Sequence, residues 1–399
     1  MKTYQDAFIK FFDKSEYALL KATQRDLEAE DLWIDGASKL SVEPLATPMD
    51  AELRNTEPLN TIPKEVLLDT CDNAGIMLVF DGREECLRDC AIPSLLNTAR
   101  ISGSGVSKVS KEQLAVGLSA FLTAARGESR ILMRAGKIAA VLSPQYQYMP
   151  ISKLLDICDT LSQQLGPATF LGGFVSHSLT VAQYKFHDKA QEITDAYNSI
   201  LTAHQYPPTR LLTPVVEFRA SDTSGEAAKM LTYLHTGSVL IPVGGASVVH
   251  VPPHDYHPNG LRKTCVEVFE EEAAALYSKL EYDIADVLPK MLSTPIHYPG
   301  NTFVGLCKYA NIPQKWGGLV EEEVRMDFPD GSDCCFLDIY EALARTTAKA
   351  IEGGCEPYAN RVLEMEEGIC KVSKNTASWR KYDLPGTVAW SSGTAQKTA

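Results

Sequence analysis

The sequence predicts an α+β protein with a mixed or antiparallel sheet in the middle of the chain, helices packed on that sheet and a mostly helical C-terminal part. Segments with strand-like patterns concentrate between residues 76 and 251, and several of them are joined by Gly-containing turns. Beyond residue 260, apolar residues recur mainly at the three- and four-residue spacing of helices. The fold class therefore follows from where each periodicity occurs along the chain.

The predicted segments divide the chain into four parts. They are an N-terminal helical arm (1–37), a Pro-rich linker (38–63), an α+β core (64–350), and a C-terminal helical segment and tail (351–399). Phe8, Phe11 and Phe12 carry the helical pattern of the arm and need a covering surface. Because the linker would let the arm reach a neighbour, we expect a homo-oligomer.

The first elements of the core are a strand and a capped helix. The apolar run Ile76–Phe80 ends in Asp81-Gly82, which predicts a strand followed by a turn. Ser110 and Gln113 have the spacing of a capping box, in which each side chain satisfies a backbone donor of the other residue. The helix that begins there is predicted to face inward through Leu114, Leu118, Phe121 and Leu122.

A tight hairpin is predicted next. Residues 130–134 and 137–143 are strand-like, and the intervening Ala135-Gly136 suits a two-residue turn because glycine accepts a positive φ. The later predicted elements are a helix at 152–165, a strand at 175–186, a helix at 189–204, a strand at 211–218, a hairpin of 239–243 with 247–251, a helical region from 265 and a helix at 336–351.

Composition and charge exclude several classes of protein. The chain has 399 residues, of which 45% are hydrophobic and 22% are charged, with a formal net charge of −13. Such an acidic chain is a poor candidate for coating nucleic acid or an anionic membrane with its whole surface. No apolar run approaches the roughly 18 residues that span a bilayer, and residues 1–14 lack the pattern of a secretory signal.

The ten cysteines are spread along the chain without a C-x-x-C pair. This spacing argues against a zinc ribbon, a thioredoxin-type site and a secreted disulfide scaffold. We therefore expect reduced, mostly buried thiols in a cytoplasmic protein.

Charge is distributed unevenly along the chain. Residues 87–153 contain nine basic and three acidic residues, so this stretch carries +6 and the remainder carries −19. Cations that follow phosphates and rings that stack on unpaired bases are the ingredients of a groove for single-stranded nucleic acid. The candidate binding residues are Lys108, Lys111, Arg130, Arg134, Lys137, Tyr146 and Tyr148. Alternatively, the cations pair with the acidic remainder of the protein and the tyrosines belong to the core.

Two further motifs are candidate ligand sites. Residues 102–108, SGSGVSK, suit either a backbone nest for an anion or a plain flexible loop, and they lack the P-loop spacing. His250, His254 and His257 are dense enough to hold a divalent transition metal, with Asp255, His235 or His297 completing the set. The alternative is a solvated loop, because the spacing matches neither H-E-x-x-H nor a zinc deaminase.

The run RILMRAGKIAAVLSPQY from Arg130 to Tyr146, followed by a helix at Leu154-Leu155, resembles phage/plasmid-like proteins, a domain family without an assigned function. Members show an arginine-bearing strand, a short turn, an alternating strand that ends near Ser and Tyr, and a helix. The helix from Ser110, the turn at 218–225 and a histidine before a long helix occur in the same order. The resemblance covers roughly residues 65–350. The matching positions, which have no known role in the family, are Arg134, Ser143, Tyr146, Asp222 and His250.

The resemblance implies a protein encoded by a phage, prophage or plasmid and present in the bacterial cytoplasm, near replication and recombination functions. Together with the charge pattern it predicts a non-enzymatic protein that binds single-stranded DNA or RNA. One alternative is a metal-dependent enzyme that uses His250, His254 and His257. The other is an oligomeric structural protein with a host or phage protein as its partner.

Overall fold

The computed structural model describes residues 9–45, 74–101, 109–125, 127–223, 226–237, 239–243, 247–248, 265–356, 360–386 and 388–390. These residues form antiparallel sheets with helices packed on them, followed by a helical C-terminal part. The predicted α+β class is therefore confirmed.

Thirteen strands occur in the described part of the chain. They are β1 (Ile9–Phe12), β2 (Leu32–Ala37), β3 (Ser41–Pro44), β4 (Ile76–Phe80), β5 (Arg83–Cys86), β6 (Ser129–Arg134), β7 (Lys137–Leu142), β8 (Ala168–Ser176), β9 (Thr180–Phe186), β10 (Thr213–Ala220), β11 (Lys229–Thr236), β12 (Val239–Pro242) and β13 (Ser247–Val248).

Eleven α-helices accompany these strands in the same residues. They are α1 (Tyr17–Ala29), α2 (Ile92–Thr98), α3 (Lys111–Ala125), α4 (Ile151–Leu165), α5 (Ala190–Ala203), α6 (Cys265–Ala274), α7 (Leu276–Leu292), α8 (Pro299–Tyr309), α9 (Gln314–Asp327), α10 (Phe336–Glu352) and α11 (Asn360–Lys374).

The largest sheet has the strand order β1-β8-β9-β10-β11-β12, and β13 also pairs with β11. The helices α1, α4 and α6 cover one face, where Leu20, Leu155 and Phe269 join one hydrophobic cluster with the sheet. The helix α11 covers the other face through Leu363 and Cys370. Because side chains alternate along each strand, the two faces of this sheet contribute to separate hydrophobic cores.

Two smaller three-stranded sheets, β2-β6-β7 and β3-β4-β5, share a second hydrophobic core with α2 and α3. The predicted hairpin is confirmed as β6 and β7, and its turn residues Ala135 and Gly136 have φ of 46° and 75°. Both torsions lie in the left-handed region that a two-residue hairpin turn requires. The predicted strand Ile76–Phe80 and its Asp81-Gly82 turn are confirmed as well.

The helical prediction for the N-terminal segment is right for α1 and wrong for Ile9–Phe12. Those four residues form β1, which pairs with β8 at the edge of the largest sheet. Phe12 is buried there, and the ring of Phe11 lies 5.8 Å from that of Phe174. Adjacent side chains of a strand point to opposite faces, so Phe12 enters the core, whereas Phe11 contacts Phe174 and remains 42% exposed.

The predicted linker also contains regular structure. The sequence shows no strand pattern here, but Ser41–Pro44 forms β3, an edge strand that pairs with β4. The prediction that these residues contain no strand is therefore wrong. Pro44 ends that strand, a position where its missing N–H removes no ladder hydrogen bond. The remainder of the predicted linker, residues 46–63, lies outside the described residues.

Two strand predictions need correction. Residues 175–186 form the adjoining parts of two strands, β8 and β9, because the Ser176 hydroxyl accepts hydrogen bonds from the backbone of Ser178 and Leu179 and turns the chain. Residues 239–243 and 247–251 do not pair as a hairpin over their described parts. Instead, β12 and β13 each pair with β11.

The helix predictions are largely confirmed. The capping box at the start of α3 is present, with the backbone N–H of Ser110 donating to Gln113 Oε1 over 3.1 Å. Leu118 and Leu122 are buried as expected, but Phe121 is 53% exposed and does not belong to the inward stripe. Eight cysteines, all but Cys71 and Cys265, have side chains that the structure describes, and these eight are free thiols.

Among the described residues, each helix is too short or too polar to cross a lipid bilayer.

Two glycines in helix interiors provide a matched test of packing. A Cβ on Gly368 of α11 would overlap the carbonyl oxygen of Ala310, whereas a Cβ on Gly117 of α3 would meet no atom within 4 Å. We expect Gly368→Ala to lower the free energy of unfolding by ~1–3 kcal/mol, because overpacking outweighs helix propensity. Gly117→Ala should raise it by up to about 1 kcal/mol. Urea unfolding of both variants measures this, and equal effects would contradict the packing of α11 on Ala310.

Glu341 in α10 predicts a specific pH dependence of stability. Burial and the nearby charge of Asp338 raise its pKa to about 7, and Arg345 opposes them. A carboxyl group with a raised pKa in the folded state contributes stability below its unfolded pKa, and this contribution is lost as pH rises through 7. Glu341→Gln should therefore gain thermal stability relative to the natural protein at pH 8 but not at pH 5. The exposed Glu352→Gln on the same helix is the control, and an identical pH profile in all three proteins would disprove the effect.

A basic hairpin, an aromatic stack and a cleft

The structure separates the predicted nucleic-acid-binding residues into a buried group and a group that borders a cleft. All of those that are described, except Lys111, lie on the β6–β7 hairpin or in the segment that follows it. Whether each side chain is accessible depends on strands that come from distant parts of the sequence. The two groups therefore have different roles.

Arg134 is in the buried group. Its side chain is 1% exposed. Its guanidinium donates to both carboxylate oxygens of Asp31 over 2.7 Å, to both oxygens of Asp222 and, over 2.7 Å, to the backbone carbonyl of His177. Asp31 lies between α1 and β2, and Asp222 follows β10. Arg134 thus joins the small sheet to the largest sheet, and its predicted contact with a phosphate does not fit this position.

Lys137 and Arg88 are also buried. The Arg88 guanidinium donates over 3.0 Å to the backbone carbonyl of Arg134. Three of the nine cations of the basic stretch therefore lie inside the protein, and the predicted phosphate contact of Lys137 needs the same correction. Arg134 and Lys137 are buried on strands of the small sheet and Arg88 is buried just after β5, which side-chain charge alone does not reveal.

Arg130 lies at the boundary between the interior and solvent. Its side chain is 26% exposed and forms an ion pair with Asp35. It also donates over 2.7 Å to the backbone carbonyl of Tyr146, and its guanidinium carbon lies 6.0 Å from the centre of the Trp33 ring. Arg130 therefore positions the segment after β7 against β2.

Trp33 forms an aromatic stack with the two predicted tyrosines. Its ring lies 6.1 Å from that of Tyr146, with 16° between the planes, and 4.9 Å from that of Tyr148. Burial raises the pKa of the Tyr148 hydroxyl, and the negative charges of Glu28 and Asp222 add to this effect. The indole N–H of Trp33 is buried without a hydrogen-bond partner in the structure. We call Trp33, Tyr146 and Tyr148 the aromatic stack.

Sequence reasoning missed Trp33 because it lies about a hundred residues before the tyrosines. The pairing of β2 with β6 places Trp33 opposite Leu132 and so brings it to the hairpin. A tryptophan in a short segment with mixed polarity carries no local signal of this contact. Its partners become visible only when the strand order is known.

A cleft of about 1010 Å³ opens beside the aromatic stack. Tyr146 forms part of its wall, and the other lining residues come from residues 38–41, α2, α3, the turn before β6, and β7 with the residues that follow it. Many of the lining side chains are hydroxyls and amides; among these are Ser38, Asn97, Thr98, Thr123 and Ser143. Its charged lining residues are Lys39, Arg100 and Glu128. The volume is at the upper end of the range for ligand-binding pockets.

Lys39 and Arg100 are the cations of this cleft. Both are exposed, and neither forms an ion pair with a described residue. Their backbones have φ of 55° and 57°, the left-handed region that residues with a side chain rarely adopt. Strained backbone of this kind concentrates at functional sites, where the surrounding structure holds it in place.

The remaining predicted residues fall elsewhere. Lys111 donates over 2.7 Å to the backbone carbonyl of Leu45 and so fixes the chain after β3. Lys108 lies outside the described residues, as do His250, His254 and His257. Within the described residues, no group of three or more His, Cys, Asp or Glu side chains is arranged to hold a metal ion.

Comparisons with protein-family models, with curated proteins and with solved structures give no match to this chain.

The role of Arg134 is testable by comparison with Arg130. Removing one partner of a buried ion pair leaves uncompensated charge inside the protein, so Arg134→Met should lower the free energy of unfolding by ~3–5 kcal/mol. Arg130→Met breaks a partly exposed pair and should cost no more than about 1 kcal/mol. Denaturant unfolding measures both values. Similar losses in the two variants would show that Arg134 does not join the two sheets.

Proposed function

We propose that this protein binds single-stranded nucleic acid in the cleft beside the aromatic stack. The observation that carries the proposal is the position of two exposed cations, Lys39 and Arg100, on the same cleft as Tyr146, whose ring stacks on Trp33. Neither cation is neutralised by an ion pair with a described residue. A single strand is bound by cations that contact its phosphates and by aromatic rings that stack on its bases, so both kinds of group must lie side by side.

The lining of the cleft suits a nucleotide. Lys39 and Arg100 offer ammonium and guanidinium donors to phosphate oxygens. Asn97 lines the cleft, and its side-chain amide forms no hydrogen bond with a described residue, so it is free to pair with a base edge. Tyr146 already stacks on Trp33, and a base that packs against this ring extends an existing aromatic stack.

The proposal favours a single strand over a duplex for two reasons. A concave cleft of about 1010 Å³ suits a few unpaired nucleotides rather than the outer surface of a double helix. In addition, the net charge of −13 repels a long polyanion everywhere except where positive groups are exposed. Binding therefore depends on a short basic segment rather than on the whole surface.

The resemblance to phage/plasmid-like proteins supports a role for this binding in the replication or recombination of a mobile element. We infer a non-enzymatic role in the bacterial cytoplasm on the same grounds. Relative to the sequence prediction, the proposed phosphate contacts move from Arg134 and Lys137 to Lys39 and Arg100, since the first pair is buried. Tyr146 remains in the proposal.

Fluorescence anisotropy of a labelled oligonucleotide, single-stranded or duplex, tests the proposal at about 50 mM and about 200 mM salt. We expect Arg100→Glu to weaken single-strand binding and to reduce its salt dependence, because one phosphate contact is lost. Tyr146→Ala should weaken binding by about 1–3 kcal/mol, the usual contribution of one base–ring stack. Tyr146→Phe keeps the ring and loses only the hydrogen bond to the Asp222 carbonyl, so it should bind more tightly than Tyr146→Ala.

Lys153→Glu is the matched control for charge, because Lys153 is an exposed cation of the same basic stretch that does not line the cleft. It should leave binding nearly unchanged. The proposal fails if the natural protein does not bind single strands at low salt. It also fails if Lys153→Glu weakens binding as much as Arg100→Glu does.

A further inference from the structure

Two basic side chains that the proposed function does not use, Lys185 and His235, are in contact near one end of the largest sheet, and the charges of His187 and Lys14 act on them. Lys185 lies near the end of β9, His187 follows that strand, His235 lies near the end of β11, and Lys14 follows β1. The Lys185 Nζ is 3.0 Å from the His235 Nδ1. We call these four residues the basic cluster.

Sheet register explains how Lys185 and His235 come into contact from strands that are not neighbours. Lys185 pairs with Val215 of β10, and Val215 pairs with Tyr233 of β11. Lys185, Val215 and Tyr233 therefore point to the same face, and His235 lies two residues further along on that face. Because Val215, opposite Lys185, and Thr213, opposite His235, have short side chains, the long lysine side chain reaches across β10 to the imidazole.

Within the basic cluster, the electrostatic effects act against the positive charge of His235 and Lys185. Burial and the nearby charges of Lys185, His187 and Lys14 all lower the pKa of the His235 imidazole. Burial and the charge of Lys14 lower the pKa of Lys185. No carboxylate in the described residues forms an ion pair with any of the four groups. Lys185, His187 and Lys14 therefore each disfavour the charged form of His235, and Lys14 also disfavours the charged form of Lys185.

The two nearest carboxylates in the sequence are directed to other partners. Asp13 accepts hydrogen bonds from the backbone and the hydroxyl of Ser15. The side chain of Asp188 lies against Gly166. The positive charge of the basic cluster thus remains available to a ligand.

We propose that the basic cluster is a binding site for a phosphate-bearing anion. A phosphate dianion accepts charge-assisted hydrogen bonds from ammonium and imidazolium groups and removes the repulsion among them. Two histidines by themselves also suit a transition metal, but the ammonium groups of Lys14 and Lys185 repel a cation at this position. The shared chemistry is the phosphate group, whether it is free or part of a nucleotide. This site is separate from the cleft residues and goes beyond the proposed function.

Isothermal titration calorimetry of the full chain with inorganic phosphate is the first test. We expect saturable binding that persists in Arg100→Glu, which removes a cleft cation, and we expect Lys185→Met or His235→Gln to weaken it about tenfold or more, as for loss of one hydrogen bond to a charged group. Parallel titrations with adenosine monophosphate and with adenosine distinguish the sources. Adenosine monophosphate binding that is tighter than phosphate binding and is weakened by Lys185→Met indicates a nucleotide ligand at this site, and equal affinity indicates that the phosphate alone is recognised.

Histidine NMR gives a second readout that does not depend on binding heat. Phosphate should raise the pKa of His235, because the anion favours the charged imidazolium. Lys14→Met is the fallback variant if Lys185→Met fails to fold, since Lys14 is exposed. Lys189→Met is the matched control, because Lys189 is close in sequence but pairs with Glu192 over 2.7 Å.

Three results would overturn this proposal. One is the absence of phosphate binding at millimolar concentration together with an unchanged His235 pKa. Another is an equal loss of binding in Lys189→Met, which would indicate general surface charge. The third is chloride binding as tight as phosphate binding, which would indicate ordinary counterions. Arg100→Glu should leave phosphate binding here unchanged, so failure of the cleft proposal and failure of this one are distinguishable.

Discussion

The buried ion pairs of Arg134 with Asp31 and Asp222 are the constraint on which the relation between the two sheet systems depends. Three charged groups leave water here, and desolvation is offset only if every hydrogen bond of the guanidinium forms. The partners come from the segment after α1, the end of β10 and the turn between β8 and β9. The N-terminal segment, the β6–β7 hairpin and the largest sheet must therefore be in place together.

The wall of the cleft depends on the same interaction. The Tyr146 hydroxyl donates over 3.3 Å to the backbone carbonyl of Asp222, the residue that also pairs with Arg134. Arg130 holds the Tyr146 carbonyl from the other side. The aromatic ring that we assign to base stacking is thus fixed by two cations from one strand. This arrangement gives the hairpin arginines a positioning role rather than direct contact with a ligand.

A second buried network has the equivalent role for α11. Arg219 lies between Glu217 of its own strand and Glu366 of the helix, and the Tyr233 hydroxyl lies 3.4 Å from a carboxylate oxygen of each. Burial raises the pKa of Glu366 well above its usual range, and the charge of Glu217 adds to this effect. One guanidinium thus serves two carboxyl groups in the interior of the protein. Buried polar contacts, in addition to apolar packing, therefore position both the small sheet and α11 against the largest sheet.

Local patterns in the sequence determined the elements that depend on neighbouring residues. The Ala135-Gly136 turn, the Ser110–Gln113 capping box and the apolar run Ile76–Phe80 are each set by backbone torsion or side-chain bonding within a few residues, and each was predictable. The α+β class followed from the same periodicities. Net charge and its uneven distribution were also visible without a structure.

Only the tertiary structure decided which charges are buried and which surfaces meet. Arg134 and Lys39 are both basic residues in the sequence, but strand pairing buries the first and leaves the second on the cleft. Trp33 reached the tyrosines through the β2–β6 register, and Lys185 reached His235 across β10. Such contacts join residues fifty or more positions apart, so no local pattern records them. The physical reason is that the free energy of pairing two distant strands depends on packing throughout the sheet. A local sequence pattern indicates only the structural preference of its own segment.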